Sequence, residues 1–442
     1  MLTRDVDTVA IALAQAFLDG AWEERALVRR ATRILGRRPR WLLPLARRVL
    51  AAYHRPPADR PRELRAFIRR MILDDTGHRG LQQPFEIRRW TPVPTRMITR
   101  RWPVPVLDTV GDLGSFLGLE AGPLMWLADA RGLERFATDE PLRNYRYTWV
   151  PRAAGPPRLL EAPKATLKQA QRDIAREILR WIPVHDAAYG FVAGRSAIEH
   201  AARHAGREVV LSFDLADFFA HVSVARVYGT YRTAGYPEPV AHCLAALATN
   251  QIPRGVEQAL AGQADPAYAL LRRRLTTAHL PQGAPTSPAL ANLAAFRLDR
   301  RVAQLADAVG ATYTRYADDL VLSGDGRLAR RTRMVQDAIA TITASEGFRL
   351  HPRKTHRRSR ADRQEVCGMV VNVRTNIPRS DYDRLKAIVH DAARHGPEVA
   401  NRDDIPDFRA HLAGRIAWVA AVHPERGAKL QARFDEITWP QT

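Results

Sequence analysis

Along Tyr313-Thr314-Arg315-Tyr316-Ala317-Asp318-Asp319-Leu320-Val321-Leu322, two β-forming runs flank a tight acidic turn, the pattern of a β-hairpin that holds its polar tip rigidly. The run Val209-Val210-Leu211-Ser212-Phe213-Asp214 alternates, so Val209, Leu211 and Phe213 share one face and Asp214 falls on the other with Ser212. A second hairpin is expected over Tyr145 to Leu160, with Gly155 and its proline neighbours at the turn. Helical periodicity covers residues 1 to about 75. It returns in a short segment opened by Asp108-Thr109 and closed by Gly118, near 124–130, and over 165–181, where Leu167, Ala170, Ile174, Ile178 and Leu179 share a face. Alanine-rich helical sequence runs over about 224–275, and helices are expected over 289–303, about 327–346, and three times from about 380 onward. A strand pair is expected near 366–373, and the proline-rich stretch from Trp90 to Pro105 reads as an extended linker. No internal repeat is visible.

Composition adds a partner class to this outline. A chain of 442 residues with 46% hydrophobic content has room for two or three domains and a real core. The formal charge of +21 points to a polyanion, with nucleic acid first because basic surfaces release counterions from phosphate backbones. Lysine occurs only at positions 164, 168, 354, 386 and 429; a GC-rich genome accounts for arginine over lysine but not for base over acid. Residues 1 to about 75 concentrate Arg29-Arg30, Arg37-Arg38-Pro39-Arg40 and Arg47-Arg48 among Leu, Val and Trp41. A nucleic-acid-binding helical module and an amphipathic bundle with a solvated arginine face fit that pattern equally. Cys243 and Cys367 are the only cysteines, which leaves no disulfide framework. The start lacks the order of a signal peptide and no apolar run is long enough for a bilayer, so a cytoplasmic protein without a membrane partner is expected.

Acid in so basic a chain is informative where it recurs in order. Asp214-Leu-Ala-Asp217-Phe218-Phe219 is followed by Leu280-Pro281-Gln282-Gly283-Ala-Pro-Thr-Ser-Pro288 and then by Tyr316-Ala-Asp318-Asp319. This order resembles the palm of a reverse transcriptase, and the Pro281–Pro288 string appears in the form found in bacterial retron reverse transcriptases. Gly190-Phe191-Val-Ala-Gly194-Arg195-Ser196 is similar to theirs as well, and the likeness spans roughly residues 105 to 435. Independently of the name, transfer of a nucleotidyl group needs two divalent cations about 3.5–4 Å apart. Mg²⁺ takes hard oxygen ligands, commonly one or two carboxylates with water and phosphate.

The resemblance implies an α+β right-hand polymerase. Residues 1–100 would form a basic helical extension and linker, 101–205 the fingers, 206–378 a ferredoxin-like palm with a helical insertion near 224–279, and 379–442 a helical thumb. It implies catalysis by Asp214, Asp318 and Asp319 with two Mg²⁺ ions, Asp214 and Asp318 bridging them, Asp319 a weaker ligand or electrostatic support, and Leu215 among the metal-binding positions. Nucleotide binding would fall to Arg158, Arg152, Gln282 and Lys354, with Asp217 and Phe218 offering backbone N–H groups. Phe219 stands where the family has an aromatic gate against a ribose 2′-OH, though one of Phe218 and Phe219 is expected in the core. Lys354 matches a lysine that protonates departing pyrophosphate.

Two signature strings depart from the family. His200-Ala201-Ala202-Arg203-His204 and Val366-Cys367-Gly368 replace Asn-Ala-x-x-His and Val-Thr-Gly; His200, His204, Val366, Cys367 and Gly368 are carried as RNA-binding positions. The expected partners are a structured non-coding RNA, an RNA/DNA hybrid, deoxynucleoside triphosphates and a retron effector protein. The expected product is a branched RNA–DNA molecule (msDNA), made in antiphage defence. Rival readings are a reverse transcriptase of another bacterial system, such as a group II intron or diversity-generating element, and a non-enzymatic RNA-binding scaffold.

Overall fold

The computed structural model describes residues 2–3, 5–76, 81, 84–87, 93–152, 155–262 and 264–440. Trp90, Thr91 and Pro92 of the expected linker and Ala153-Ala154 of the expected hairpin turn lie outside the described residues. The chain forms two compact units, Met1–Pro183 with Phe219–Ala294, and Val184–Phe218 with Ala295–Thr442.

The first unit begins with strand β1 (Leu2–Thr3), which pairs with β2 (Phe85–Glu86), and with helices α1 (Val6–Leu18), α2 (Glu24–Leu35), α3 (Leu42–Ala52) and α4 (Pro61–Asp75). Asp5 starts α1 by accepting from the backbone N–H groups of Asp7 and Thr8, and Gly36, at φ 71°, ends α2 in the left-handed conformation. Leu13, Phe17, Leu27, Leu45, Leu64 and Ile68 close a core within this bundle, each fully buried. Further on, Thr109 and Asp112 form a reciprocal capping box for the helix Val110–Leu117, which Gly118 terminates as expected. Strands β3 (Tyr145–Val150) and β4 (Arg158–Pro163) form the expected hairpin, three residues longer than the sequence pattern gave, because Glu161 and Pro163 keep the inward alternation going. The unit continues through helices Ala165–Glu177, Val224–Ala234, Glu238–Ala248 and Pro266–Leu275.

The second unit carries β5 (Val209–Asp214), β6 (Thr312–Tyr316), β7 (Asp319–Gly324) and β8 (His356–Ser359) in one antiparallel sheet of order β6-β7-β5-β8. Helices Phe296–Val309 and Thr332–Ser345 bury Leu298, Val302, Val335 and Ile339. A small hairpin of β9 (Glu365–Val366) and β10 (Met369–Val370) follows. The C-terminal helices Arg379–His395, Phe408–Val422 and Pro424–Asp435 close a separate core around Leu385, Val389, Leu412, Ile416 and Leu430. Two expected helices are interrupted: the first is Ser287–Ala294 then Phe296–Val309, and the second is Gly326–Arg330 then Thr332–Ser345. The fold is thus mixed α and β with antiparallel sheets, and no helix among the described residues is long and apolar enough to cross a membrane.

Candidate active site

Sheet register places the acids. Strand β5 is central and nearly all buried, and its last residue, Asp214, lies directly opposite Asp319, the first of β7. Directly opposed residues in antiparallel strands stand about 4.5–5.5 Å apart at Cα, and like charges there are destabilising. Asp318 completes the set from the two-residue turn Ala317-Asp318. Its carbonyl accepts from the Leu215 N–H at 2.9 Å, while the Asp214 carbonyl accepts from the His351 N–H at 2.7 Å. The chain on both sides of the carboxylates is therefore fixed by main-chain bonds.

Ala317 enters the turn at φ 55°, a region that costs a residue with a Cβ about 1–2 kcal/mol. Three features hold it there. Arg315, 0% exposed, donates to the Ala317 carbonyl at 2.7 Å and makes a two-pronged pair with buried Asp299 at 2.8 and 2.7 Å. The segment before the signature glycine joins the edge of β6, Tyr189 donating to the Arg315 carbonyl and Arg315 to that of Ala187, each at 2.7 Å. Gly190 then passes so close that a Cβ on it would stand 2.4 Å from the Ala317 nitrogen, so only glycine fits.

The electrostatics follow from this crowding. Asp319 is pushed up to about 6, by burial first and then by the charges of Asp318 and Asp214, with Lys354 opposing. Lys354, from the short turn Pro352–Lys354, places Nζ 2.7 Å from Asp214 Oδ2 while its side chain stays 56% exposed. A site that raises one carboxyl and draws an ammonium onto another is short of positive charge, and its donors are hard oxygens, which suits a divalent cation. The acids and Lys354 share a cleft of about 370 Å³ with Cys367 and Gly368.

The profile described as reverse transcriptase (RNA-dependent DNA polymerase) matches residues 150–371. The chain is 40% identical over 333 residues to the retron Mx65 reverse transcriptase of Myxococcus xanthus, covering 75% of this chain and 73% of that protein. It is 34% identical to the retron Mx162 reverse transcriptase of the same organism over 75% of this chain and 67% of that one. The retron Ec86 reverse transcriptase of Escherichia coli is 30% identical over 53% of this chain and 64% of its own length. The chain belongs to the retron reverse transcriptases. It is an RNA-directed DNA polymerase.

Against this retron background the two divergent signature strings can be located. His200 and His204 are both 0% exposed, which corrects the expectation that they touch RNA. Thr314 Oγ1 on β6 meets His200 Nδ1 at 2.8 Å and His204 Nε2 at 2.6 Å, and His204 Nδ1 meets Ser323 Oγ on β7 at 2.7 Å. Burial lowers His200 to about 4 and His204 well below the ordinary value, so both are neutral and brace the two strands of the acidic hairpin. Cys367 and Gly368, at φ 48° and 74°, form the two-residue turn of the β9–β10 hairpin. Burial, then the charges of Asp319 and Asp318, pushes the Cys367 thiol up to about 12. Val366 lines the same cleft, so this string faces the acids.

Asp217, at φ 47°, follows the strand, and Phe218 is the core member of its pair, 3% exposed, its ring 5.6 Å from that of Phe348. Phe219, the first residue of a short 3₁₀ turn in the other unit, is half-buried.

In that first unit, Arg158 opens β4 opposite Val150, and both it and Arg152 are exposed. The Gln282 carbonyl accepts from the Glu161 N–H at 2.8 Å, and a Cβ on Gly283 would stand 2.9 Å from the Glu161 carbonyl oxygen. The glycine therefore lets this loop lie against the backbone of β4. Behind it Glu161 pairs with His279 at 3.0 Å, both side chains 1% exposed, and accepts from Asn250 at 2.9 Å. Burial opposes the charge on His279, but Glu161's charge and hydrogen bond together with the Thr277 carbonyl outweigh it and hold the imidazole above its ordinary value. Sequence reading missed Asp299, His279 and Asn250 because nothing local ties them to the motifs they support.

Proposed function

We propose that Asp214, Asp318 and Asp319 form the centre of a two-metal nucleotidyl transfer that copies RNA into DNA. The observation that carries this reading is the register Asp214 opposite Asp319 with Asp318 in the adjoining turn, three acids on rigid backbone in a cleft with a lysine. We assign the β6-β7-β5-β8 sheet to a ferredoxin-like palm within 206–378, with a helical insertion at 224–279, 101–205 to fingers, 379–442 to a thumb, and 1–100 to a basic extension. Two Mg²⁺ ions, when bound, would activate the attacking hydroxyl and neutralise the leaving phosphate; Asp214 and Asp318 would hold them with the Leu215 position, Asp319 more weakly. The primer hydroxyl releases its proton to solvent as its oxygen bonds the α-phosphorus, the bond from that phosphorus to the oxygen bridging to the β-phosphate breaks, and pyrophosphate leaves with that oxygen. Lys354 gives the departing pyrophosphate a proton, leaving Asp214 as it does so. Arg158 and Arg152 clamp the triphosphate, Asp217 and Phe218 present main-chain N–H groups to it, Gln282 packs on the nascent base pair, and Phe219 excludes a ribose 2′-OH.

Family membership supports the further reading that a structured non-coding RNA is template and primer, priming from a 2′-OH to give a branched RNA–DNA molecule, in the cytoplasm and alongside an effector protein in antiphage defence. Sequencing nucleic acid that copurifies with the full chain tests it. A short DNA joined covalently to one RNA is the expected result, and unlinked DNA from many templates would sink the retron assignment while leaving the polymerase.

A further inference from the structure

The N-terminal bundle lies outside the matched region 150–371, and its charge is unevenly spread. From Glu24 to Arg48 there are nine arginines and a single acid, Glu24, whereas Asp5 to Glu23 holds four acids and no base. Four of the nine are engaged within the fold. Arg30 donates to the carbonyls of Ala16, Phe17 and Ala21, Arg37 to that of Pro84, Arg47 pairs with Glu24 at 2.9 Å, and Arg48 with Asp75 at 2.9 Å. Arg25, Arg29, Arg33, Arg38 and Arg40 are exposed, with no ion pair or side-chain hydrogen bond among the described residues. Arg25, Arg29 and Arg33 recur every four residues of α2, so they form one stripe opposite the buried Leu27, Ala31 and Ile34. Successive guanidinium groups there are about 6 Å apart along the axis, and each like-charged neighbour costs about 0.2–0.5 kcal/mol. Arg38 and Arg40 follow α2 just beyond Gly36 and are exposed as well.

A row of exposed arginines at a regular spacing along one helix face fits a row of phosphates. We propose that the α2 stripe Arg25-Arg29-Arg33, extended by Arg38 and Arg40, binds the phosphate backbone of a folded RNA as a second anchor, separate from the catalytic cleft. The stripe lacks exposed aromatic neighbours on α2 for base stacking, so the contact is with backbone and shape rather than sequence.

The test uses the full chain and an RNA stem-loop probe, with affinity measured across a salt series. Arg25→Gln/Arg29→Gln/Arg33→Gln should weaken binding at least tenfold and flatten the slope of log K against log salt by about two to three, at roughly 0.7–0.9 for each lost phosphate contact. The corresponding lysine triple should keep most of the slope, and Arg65→Gln/Arg70→Gln on α4, which removes charge elsewhere in the bundle, should leave it within one unit. Extension of a short pre-annealed primer on an RNA template should proceed at the wild-type rate in all of them, which separates this proposal from that for the cleft. An unchanged slope in the glutamine triple with an unchanged melting temperature would overturn it, as would loss of binding to anionic lipid vesicles with RNA binding intact.

Discussion

Two regions of this molecule gather charge of one sign, and they do so at different cost. On α2 the arginines project into water from the face opposite the buried one, where screening makes their repulsion small. At the end of β5 and β7 the register sets Asp214 against Asp319, with Asp318 in the next turn, and main-chain bonds forbid them to separate. The first arrangement is tolerated without support. The second is held by a buried Arg315–Asp299 pair, a glycine with no room for a Cβ, and two neutral histidines. Stability spent on holding like charges together marks the place where a cation and a phosphate chain are bound.

That difference can be broken in order of size. Asp214→Asn should lower primer extension on the order of a thousandfold, about 4 kcal/mol in the transition state, whereas Arg29→Gln alone should not change it on a short template. Arg315→Met, which strands Asp299 in the interior, should cost about 3–5 kcal/mol of unfolding free energy in a urea titration. Gly190→Ala should leave the fold with a loss of about 1–2 kcal/mol yet reduce extension tenfold or more, because the turn carrying Asp318 has to move; equal activity would remove Gly190 from the support.

The smallest effect has the opposite sign. Asp319 holds its proton up to about 6, so its ionisation opposes folding: stability is fully present below pH 3.8 and is lost as pH rises through 6. Asp319→Asn should therefore raise the stability of the metal-free protein by about 1 kcal/mol at pH 8, a figure discounted for the solvent exposure of the side chain. The gain should vanish near pH 4, and melting curves at both pH values would read it.

Much of the cleft was legible because it obeys local rules. Period-two alternation marked β5, two β-forming runs around an acidic turn marked the hairpin, and their order with Gln282-Gly283 suggested the chemistry. The supports were not legible. Asp299 meets Arg315 only through the fold, and β8, His356-Arg-Arg-Ser359, has no hydrophobic alternation because it is an edge strand with exposed side chains. His200 and His204 were carried as RNA-binding positions by the likeness of their signature string, which says nothing of burial; Thr314 and Ser323 supply the hydrogen bonds that let them be buried. One of Phe218 and Phe219 was expected in the core, and burial shows it is Phe218.

The central claim is that three acids fixed by strand register perform the transfer. It is met most directly by single-turnover extension of a DNA primer on an RNA template, comparing wild type with Asp318→Ala at saturating template. Wild type should add nucleotides in the presence of Mg²⁺, and the variant should bind the same primer–template with unchanged affinity and add none. Extension by Asp318→Ala within tenfold of wild type would contradict it.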